Sequence, residues 1–193
     1  MLTNLQEFPE IPGLFRGEII GNRVGGFDPR GTFYDAFIQS EFREIAGKEL
    51  LTQQMNFVIN NLGAIRGFHA ENWDKLVCAA NGRMQVAYVD CRDHEHFGNV
   101  VTFSVDVPSV IFVPAGVANS YLALTDQLVY IYQATSEWNA DAPYPLFNLY
   151  DPELQVPWDT TYPHILSDKD KTHPPLRGAF PEAWQAWRGG AKE

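Results

Sequence analysis

A histidine flanked by two cations stands out among the residues that could do chemistry. His69 lies within the stretch Gly63–Val77, between Arg66 and Lys75. Histidine titrates near neutral pH, and nearby positive charges lower the pKa of an imidazole. The pattern therefore predicts a base beside cations that hold an anionic substrate. A histidine next to an apolar run is more often structural, however, and spacing alone leaves both interpretations open.

A metal site is the competing interpretation of the histidines. His94 and His96 alternate, as two ligands on one strand would, but their polar neighbours and the lack of a third placed ligand predict a surface loop. We expect a strand to begin at His69. The residues after it lack the second histidine that metal-binding jelly rolls use, so we expect no metal there.

Two aromatic features of the sequence each allow more than one interpretation. Tyr130 and Tyr132 share one face of a strand by parity, and spacing does not say which of them reaches a pocket. We expect Tyr130 to lie in an aromatic core. The stretch Asp28–Asp35 combines a turn, a cation and aromatic side chains, so it either clamps a planar base or begins a strand.

The charge balance argues against polyanionic partners. The 193-residue chain has 14 Lys and Arg against 24 Asp and Glu, a net charge of -10. Nucleic acids and anionic membranes are bound by basic patches, which this sequence lacks. Any phosphate must be met by a few local cations. The candidates are Arg30, Arg66, Lys75 and Arg92.

The first residues and the cysteines indicate a reducing compartment. Residues 1–9 have neither the basic region nor the apolar core of a secretory signal. We therefore expect a cytoplasmic protein. Cys78 and Cys91 are expected on neighbouring strands, where a disulfide is conceivable, but reduced, buried thiols fit that compartment better.

The organisation of the chain predicts one all-β domain over residues 1–193. Proline and glycine are scattered, and no linker or repeat stands out. From Met55 to Thr135 apolar residues alternate in short runs, which is typical of a double-sheet jelly roll or barrel. Gly98–Val107, for example, has valines and Phe103 on one face and polar residues on the other. Short peripheral helices are predicted at Gln39–Ala46 and Pro181–Trp187.

Asn81-Gly82 predicts a hairpin, because this dipeptide favours a primed two-residue turn. Its strands would be Lys75–Ala80 and Arg83–Cys91. Further strands are predicted at Val110–Pro114 and Leu128–Thr135, with a turn at residues 114–116 between them.

An ordered series of motifs resembles one family of nucleotide-sugar enzymes. The motifs are Arg30-Gly31-Thr32-Phe33-Tyr34-Asp35, Gln54-Met55-Asn56, Arg66-Gly67-Phe68-His69, Lys75-Leu76-Val77, Phe97-Gly98, Phe112 to Asn119, Tyr132 to Thr135, Tyr150 to Leu154 and Leu166 to Asp170. Together they cover roughly residues 21–176. They resemble the dTDP-4-dehydrorhamnose 3,5-epimerase family.

The resemblance implies a fold, an assembly and a set of catalytic roles. The fold is a jelly roll of the cupin type, the assembly is a homodimer with exchanged strands, and neither a metal nor a cofactor is used. His69 resembles the base of the family, and Asp170 the carboxylate that orients it. Lys75 would face the enolate oxygen, and Tyr132 would return a proton from the opposite ring face.

The resemblance also implies a set of substrate-binding residues. Arg66 resembles the diphosphate contact; Arg30, Phe33, Asp35, Gln54 and Asn56 resemble the residues that hold the nucleotide; Asn119 completes the set. The chain departs from the commonest pattern in four places. Asn119 replaces a histidine, Asp35 replaces a glutamate, the segment between His69 and Lys75 is short, and residues 141–145 lack the usual acidic residue at an alignable position.

The implied activity is epimerisation of a dTDP-4-keto-6-deoxyhexose at C3 and C5, which gives the L-rhamnose precursor. One alternative inverts a single carbon or takes another nucleotide-linked keto-sugar. A keto-isomerase on the same scaffold is a further enzymatic alternative. A non-catalytic sugar-binding jelly roll is the alternative from another class, and it would not need His69, Lys75, Tyr132 and Asp170 together.

Overall fold

The computed structural model describes residues 2–22, 26–106, 108–141 and 144–190. In these ranges the strands are β1 Leu2–Glu7, β2 Phe15–Ile19, β3 Gln54–Asn60, β4 Ile65–His69, β5 Lys75–Asn81, β6 Met84–Asp90, β7 Val100–Val105, β8 Ser109–Val113, β9 Val117–Ala123 and β10 Leu128–Ala134. None of the helices in the same ranges combines the length and the hydropathy that a membrane crossing needs.

The strands form two antiparallel sheets. One sheet has the order β1-β2-β8-β5-β10-β3, and the other has the order β4-β9-β6-β7. Because side chains alternate across a strand, Val77 and Ile111 of the first sheet share a buried core with Val86 and Tyr88 of the second. The predicted double-sheet jelly roll with a few short helices is confirmed.

The alternation along β7 and the first helix agree with the sequence. Val105 is buried in β7 and Ser104 is exposed, as predicted. Val107, which was expected to continue this pattern, lies outside the described residues. The helix α1 spans Gln39–Ala46 and buries Phe42 between the rings of the first sheet.

The C-terminal part contains more helix than the sequence indicated. A short 3-10 turn at Asp170–Thr172 and the helix α2 at Leu176–Ala179 were not predicted. The helix α3 spans Pro181–Gly190 and is therefore longer than the predicted Pro181–Trp187. Trp187 packs this helix against a second core cluster, on the outer face of the β4-β9-β6-β7 sheet.

The predicted β5–β6 hairpin is wrong. β5 pairs with β8 and β10, whereas β6 pairs with β7 and β9. Asn81 and Gly82 therefore carry the chain from one sheet to the other. The dipeptide locates a reversal, but alternation is the same in both sheets and does not say which strand becomes the partner. Cys78 and Cys91 consequently do not lie on neighbouring strands, and both are free thiols.

The sequence pattern did not predict β9. Every residue of β9 is buried, because it lies between β4 and β6 and is covered on both faces. Val117 and Tyr121 face the core between the sheets, while Ala118 and Leu122 face the outer cluster. A strand covered on both sides loses the alternation that marks its neighbours. The turn at residues 114–116 accordingly leads from β8 into β9 and not into β10.

Candidate functional site

An open cavity of about 330 Å³ lies where β3, β4, β5 and β10 present side chains to one another. Its polar lining residues are Gln54, Asn56, His69, Glu71, Lys75, Tyr132 and Ser136, and its other aromatic ones are Trp73, Trp138 and Tyr144. Antiparallel register brings these residues together from distant parts of the chain. Tyr132 of β10 pairs with Asn56 of β3, and Ala134 pairs with Lys75 of β5.

His69 is the last residue of β4, so the expectation that a strand begins there is wrong. It pairs with Asn119 of β9. Gly67 makes this close pairing possible, because a Cβ at position 67 would lie 2.4 Å from the Cβ of Ser120. Two residues further along β4, the imidazole enters the cavity, and its ring centroid lies 6.0 Å from that of Tyr144.

The surroundings of His69 hold its imidazole neutral. Burial and, to a smaller extent, the positive charge of Lys75 lower the pKa of His69 to about 4. The carboxylate of Asp170 acts in the opposite sense on this pKa. At neutral pH the ring therefore carries a free lone pair and is able to accept a proton.

Asp170 begins the 3-10 turn and acts on His69 through space. Its Oδ1 atom lies 3.9 Å from Nδ1 of His173, and both side chains are almost buried. His173 was missed at the sequence level. The spacing of three residues between Asp170 and His173 is the signal that could have located it, because one turn brings such residues together.

Lys75 and Glu71 form a buried ion pair inside the cavity. Lys75 Nζ donates a hydrogen bond to Glu71 Oε1, and both residues are 5% exposed. Burial lowers the pKa of Lys75, while the charge of Glu71 raises it. The sequence alone does not indicate a role for Glu71. An acidic residue four positions before a functional lysine, in a short loop, was the available signal.

Asn119 connects Glu71 to His69. Its Nδ2 atom donates to Glu71 Oε2 over 2.8 Å and to the backbone oxygen of His69 over 3.0 Å. Its two amide protons are thus both used within the protein.

Tyr132 and Tyr130 lie on one face of β10 but at different depths. Tyr130 is buried in the core and stacks on Tyr121 with a centroid distance of 4.1 Å, as expected. Tyr132 is half-buried and lines the cavity. Burial and the charge of Glu71 raise the pKa of Tyr132, so its hydroxyl keeps its proton at neutral pH.

Three of the expected substrate-binding residues lie in or beside the cavity. Gln54 donates to Asn56 over 2.9 Å and accepts from the backbone nitrogen of Trp138 over 2.7 Å. Arg66 lines a neighbouring cavity of about 300 Å³ together with Asp170. The Nε atom of Arg66 donates to Asn60 Oδ1 over 3.1 Å.

The other expected nucleotide contacts lie elsewhere on the surface of the same chain. Arg30 is exposed and pairs with Asp28 at 2.7 Å. Phe33 is 71% exposed. Asp35 lines a separate pocket beside α1. A single chain therefore does not bring these residues to His69.

Comparisons with known proteins identify the family. Residues 14–178 match the family model for dTDP-4-dehydrorhamnose 3,5-epimerase. A protein RmlC homolog of Streptococcus pyogenes is 34% identical over 91% of each chain. The dTDP-4-dehydrorhamnose 3,5-epimerase of Escherichia coli is 31% identical over 79% of this chain and 85% of that one.

A solved structure supports the same assignment. RmlC from Streptococcus suis in complex with dTDP-D-xylose has a TM-score of 0.83 and 30% identity, covering 92% of this chain and 93% of that one. The extent of the family match, the identity and the shared fold agree with the motifs in the sequence. This chain therefore belongs to the dTDP-4-dehydrorhamnose 3,5-epimerase family.

Proposed function

We propose that this protein epimerises a dTDP-4-keto-6-deoxyhexose at C3 and C5, giving the precursor of dTDP-L-rhamnose. The observation that carries the proposal is the meeting of His69, Lys75 and Tyr132 in one open cavity. A neutral base, a buried cation and a protonated phenol are the groups that this chemistry requires. Membership of the family adds support from an independent source.

The 4-keto group makes the hydrogens at C3 and C5 removable, because the carbanion delocalises onto the ketone oxygen. In the proposed mechanism His69 accepts the proton and Lys75 stabilises the enolate oxygen. Tyr132 then protonates the carbon from the opposite face, which inverts the centre. A positioned acid or base contributes about 10²–10⁴-fold, so the preorganised charge of Lys75 must supply much of the remaining rate.

Two groups of residues are proposed to hold the nucleotide part of the substrate. Arg66 lies beside the cavity and would contact the diphosphate, while Gln54 and Asn56 would contact the nucleotide. A chain with a net charge of -10 needs a local cation for this purpose. Asn119 would complete the set.

We also propose a homodimer with exchanged strands. β1 and β3 are the two edge strands of the larger sheet, and Met55, Phe57 and Ile59 of β3 are all more than half exposed. An apolar edge of this kind is typical of an interface. In the dimer, the segment from Arg30 to Asp35 of one chain would complete the nucleotide site of the other.

We propose a cytoplasmic location as well. The two free thiols fit this location, because thiols stay reduced in the cytoplasm.

Incubation with dTDP-4-keto-6-deoxyglucose in deuterated water tests the proposed activity. NMR of the product should detect deuterium at both C3 and C5, with both centres inverted. Label and inversion at one carbon only would identify a mono-epimerase. Binding of the nucleotide sugar without exchange at either carbon would indicate a sugar-binding protein instead.

A further inference from the structure

Glu71 is a buried carboxylate in the cavity for which the mechanism above has no role. Its Oε1 atom accepts from Lys75 and its Oε2 atom accepts from Asn119. Its backbone oxygen accepts from Gly116 over 2.8 Å. The side chain is thus held at both oxygens and the main chain is held as well, so Glu71 has a fixed position relative to the ammonium of Lys75.

The ammonium of Lys75 depends on a counter-charge. An amine removed from water favours its neutral form, and burial acts on Lys75 in this direction. A neutral amine stabilises an enolate oxygen much less than an ammonium does. Glu71 opposes the loss of charge through both its negative charge and its hydrogen bond.

We propose that Glu71, fixed by Asn119, is a positioning residue that keeps Lys75 charged and aimed into the cavity. The inference rests on the proposed function, in which Lys75 stabilises the enolate oxygen. Glu71 acts through Lys75 and not on the substrate, because both of its oxygens are engaged within the protein. Asn119 suits this arrangement because its amide supplies two donors, whereas a neutral histidine ring supplies one.

The other titratable groups around this pair do not replace Glu71. The groups that face it from the surrounding elements are His69 of β4, Tyr130 and Tyr132 of β10, and Tyr144. His69 is neutral at neutral pH, and burial raises the pKa of the three tyrosines. Within the described part of the cavity lining, Glu71 is thus the carboxylate that balances Lys75.

The titration of Lys75 tests the proposal without any substrate. The chain has five lysines, so ¹³C labelling of lysine side chains gives a simple NMR spectrum, and the signal missing in Lys75→Met identifies Lys75. In Glu71→Gln we expect Lys75 to lose its proton at a lower pH than in the wild type. An unchanged midpoint would overturn the proposal. The control is Glu49→Gln, which removes the surface partner of Arg43 and should leave the Lys75 midpoint unchanged.

The pH profile of turnover supplies a second readout. Relative to the wild type, Glu71→Gln should lose more activity at about pH 9 than at about pH 6, because without the carboxylate a larger fraction of Lys75 is neutral at the higher pH. A merely structural role would lower activity equally at both values, and that result would contradict the proposal. If the wild type proves inactive, the proposed function fails, while the lysine titration still decides whether Glu71 maintains the charge.

A second variant covers the case in which Glu71→Gln does not fold. Glu71→Asp keeps the charge but withdraws it from Lys75 Nζ by one methylene group. We expect the Lys75 midpoint to fall in this variant as well, because the attraction weakens with distance. A midpoint equal to that of the wild type would count against the inference.

Discussion

Lys75 Nζ lies 4.9 Å from the centroid of the Tyr132 ring. Lys75, proposed to stabilise the enolate oxygen, and Tyr132, the proposed acid, therefore form one wall of the cavity. They are held there by the neighbouring strands β5 and β10. A cation over an aromatic face is attracted by the ring, which fixes the two groups relative to each other. In the sugar ring the ketone oxygen lies next to the reacting carbons. A wall that carries both Lys75 and Tyr132 therefore suits contact with the oxygen and with a reacting carbon of the same ring.

Loss of the lysine charge should be almost as damaging as loss of the base. We expect kcat of Lys75→Ala to fall by about 10²–10⁴-fold, close to the effect of His69→Ala, because the enolate loses its stabilising charge. Steady-state kinetics of both variants check this. Arg43→Ala, which removes a surface cation, is the matched control. Turnover near the wild-type level in Lys75→Ala would remove Lys75 from the mechanism.

The acid limb of the pH profile should lie well below the usual range of histidine. His69 has a pKa of about 4, so kcat/KM of the wild type should stay high down to about pH 5 and fall near pH 4. The unfolded chain binds a proton at His69 as the pH falls below about 6.5, whereas the folded chain does so only near pH 4. The free energy of unfolding should therefore decrease as the pH falls from about 6.5 to about 4. An acid limb at pH 6–7 would show that the imidazole is not held neutral.

Asp170 can be tested by removing its charge without changing its size. Asp170 raises the pKa of His69, so Asp170→Asn should move the acid limb of kcat/KM to still lower pH. It should also reduce kcat, because the imidazolium formed during the reaction loses its stabilising carboxylate. An acid limb of kcat/KM at the wild-type pH, or at a higher pH, would argue that the carboxylate of Asp170 does not act on His69.

The sequence alone predicts the two-sheet class, but not the pairing of the strands. Alternation along β7 is visible because one face of that strand is wet, whereas β9 is buried on both faces and has no such pattern. The Asn81-Gly82 turn is visible, yet the sheet to which Met84 belongs is decided by long-range pairing. Local patterns do not carry that information.

The candidate site was predictable in part. The motifs of the family led to His69, Lys75, Tyr132 and Asp170, which lie in different elements. Glu71 remained hidden because a single acidic residue in a short loop looks like any solvated side chain. Its place in the cavity follows from the packing of β4, β5 and β9, which only the structure contains.

The proposed dimer makes a prediction about an exposed apolar residue. Phe57 is 59% exposed on the edge strand β3, so Phe57→Asp should place a charge in the interface and give a monomer. Analytical ultracentrifugation of the wild type should detect a dimer, and the variant should lose affinity for dTDP together with the dimer. A monomeric wild type with full activity would contradict the exchange of the Arg30–Asp35 segment.

The proposed mechanism has His69 remove the proton and Tyr132 return one from the opposite face. The fate of deuterium in Tyr132→Phe, with wild type and His69→Ala as references, separates these two roles. In deuterated water the variant should still exchange C3 and C5 hydrogens of the recovered substrate, with their configuration retained, while inverted product falls at least about 100-fold. His69→Ala should lose exchange and inversion together. Inverted, labelled product from Tyr132→Phe at the wild-type rate would contradict the assignment of the two faces.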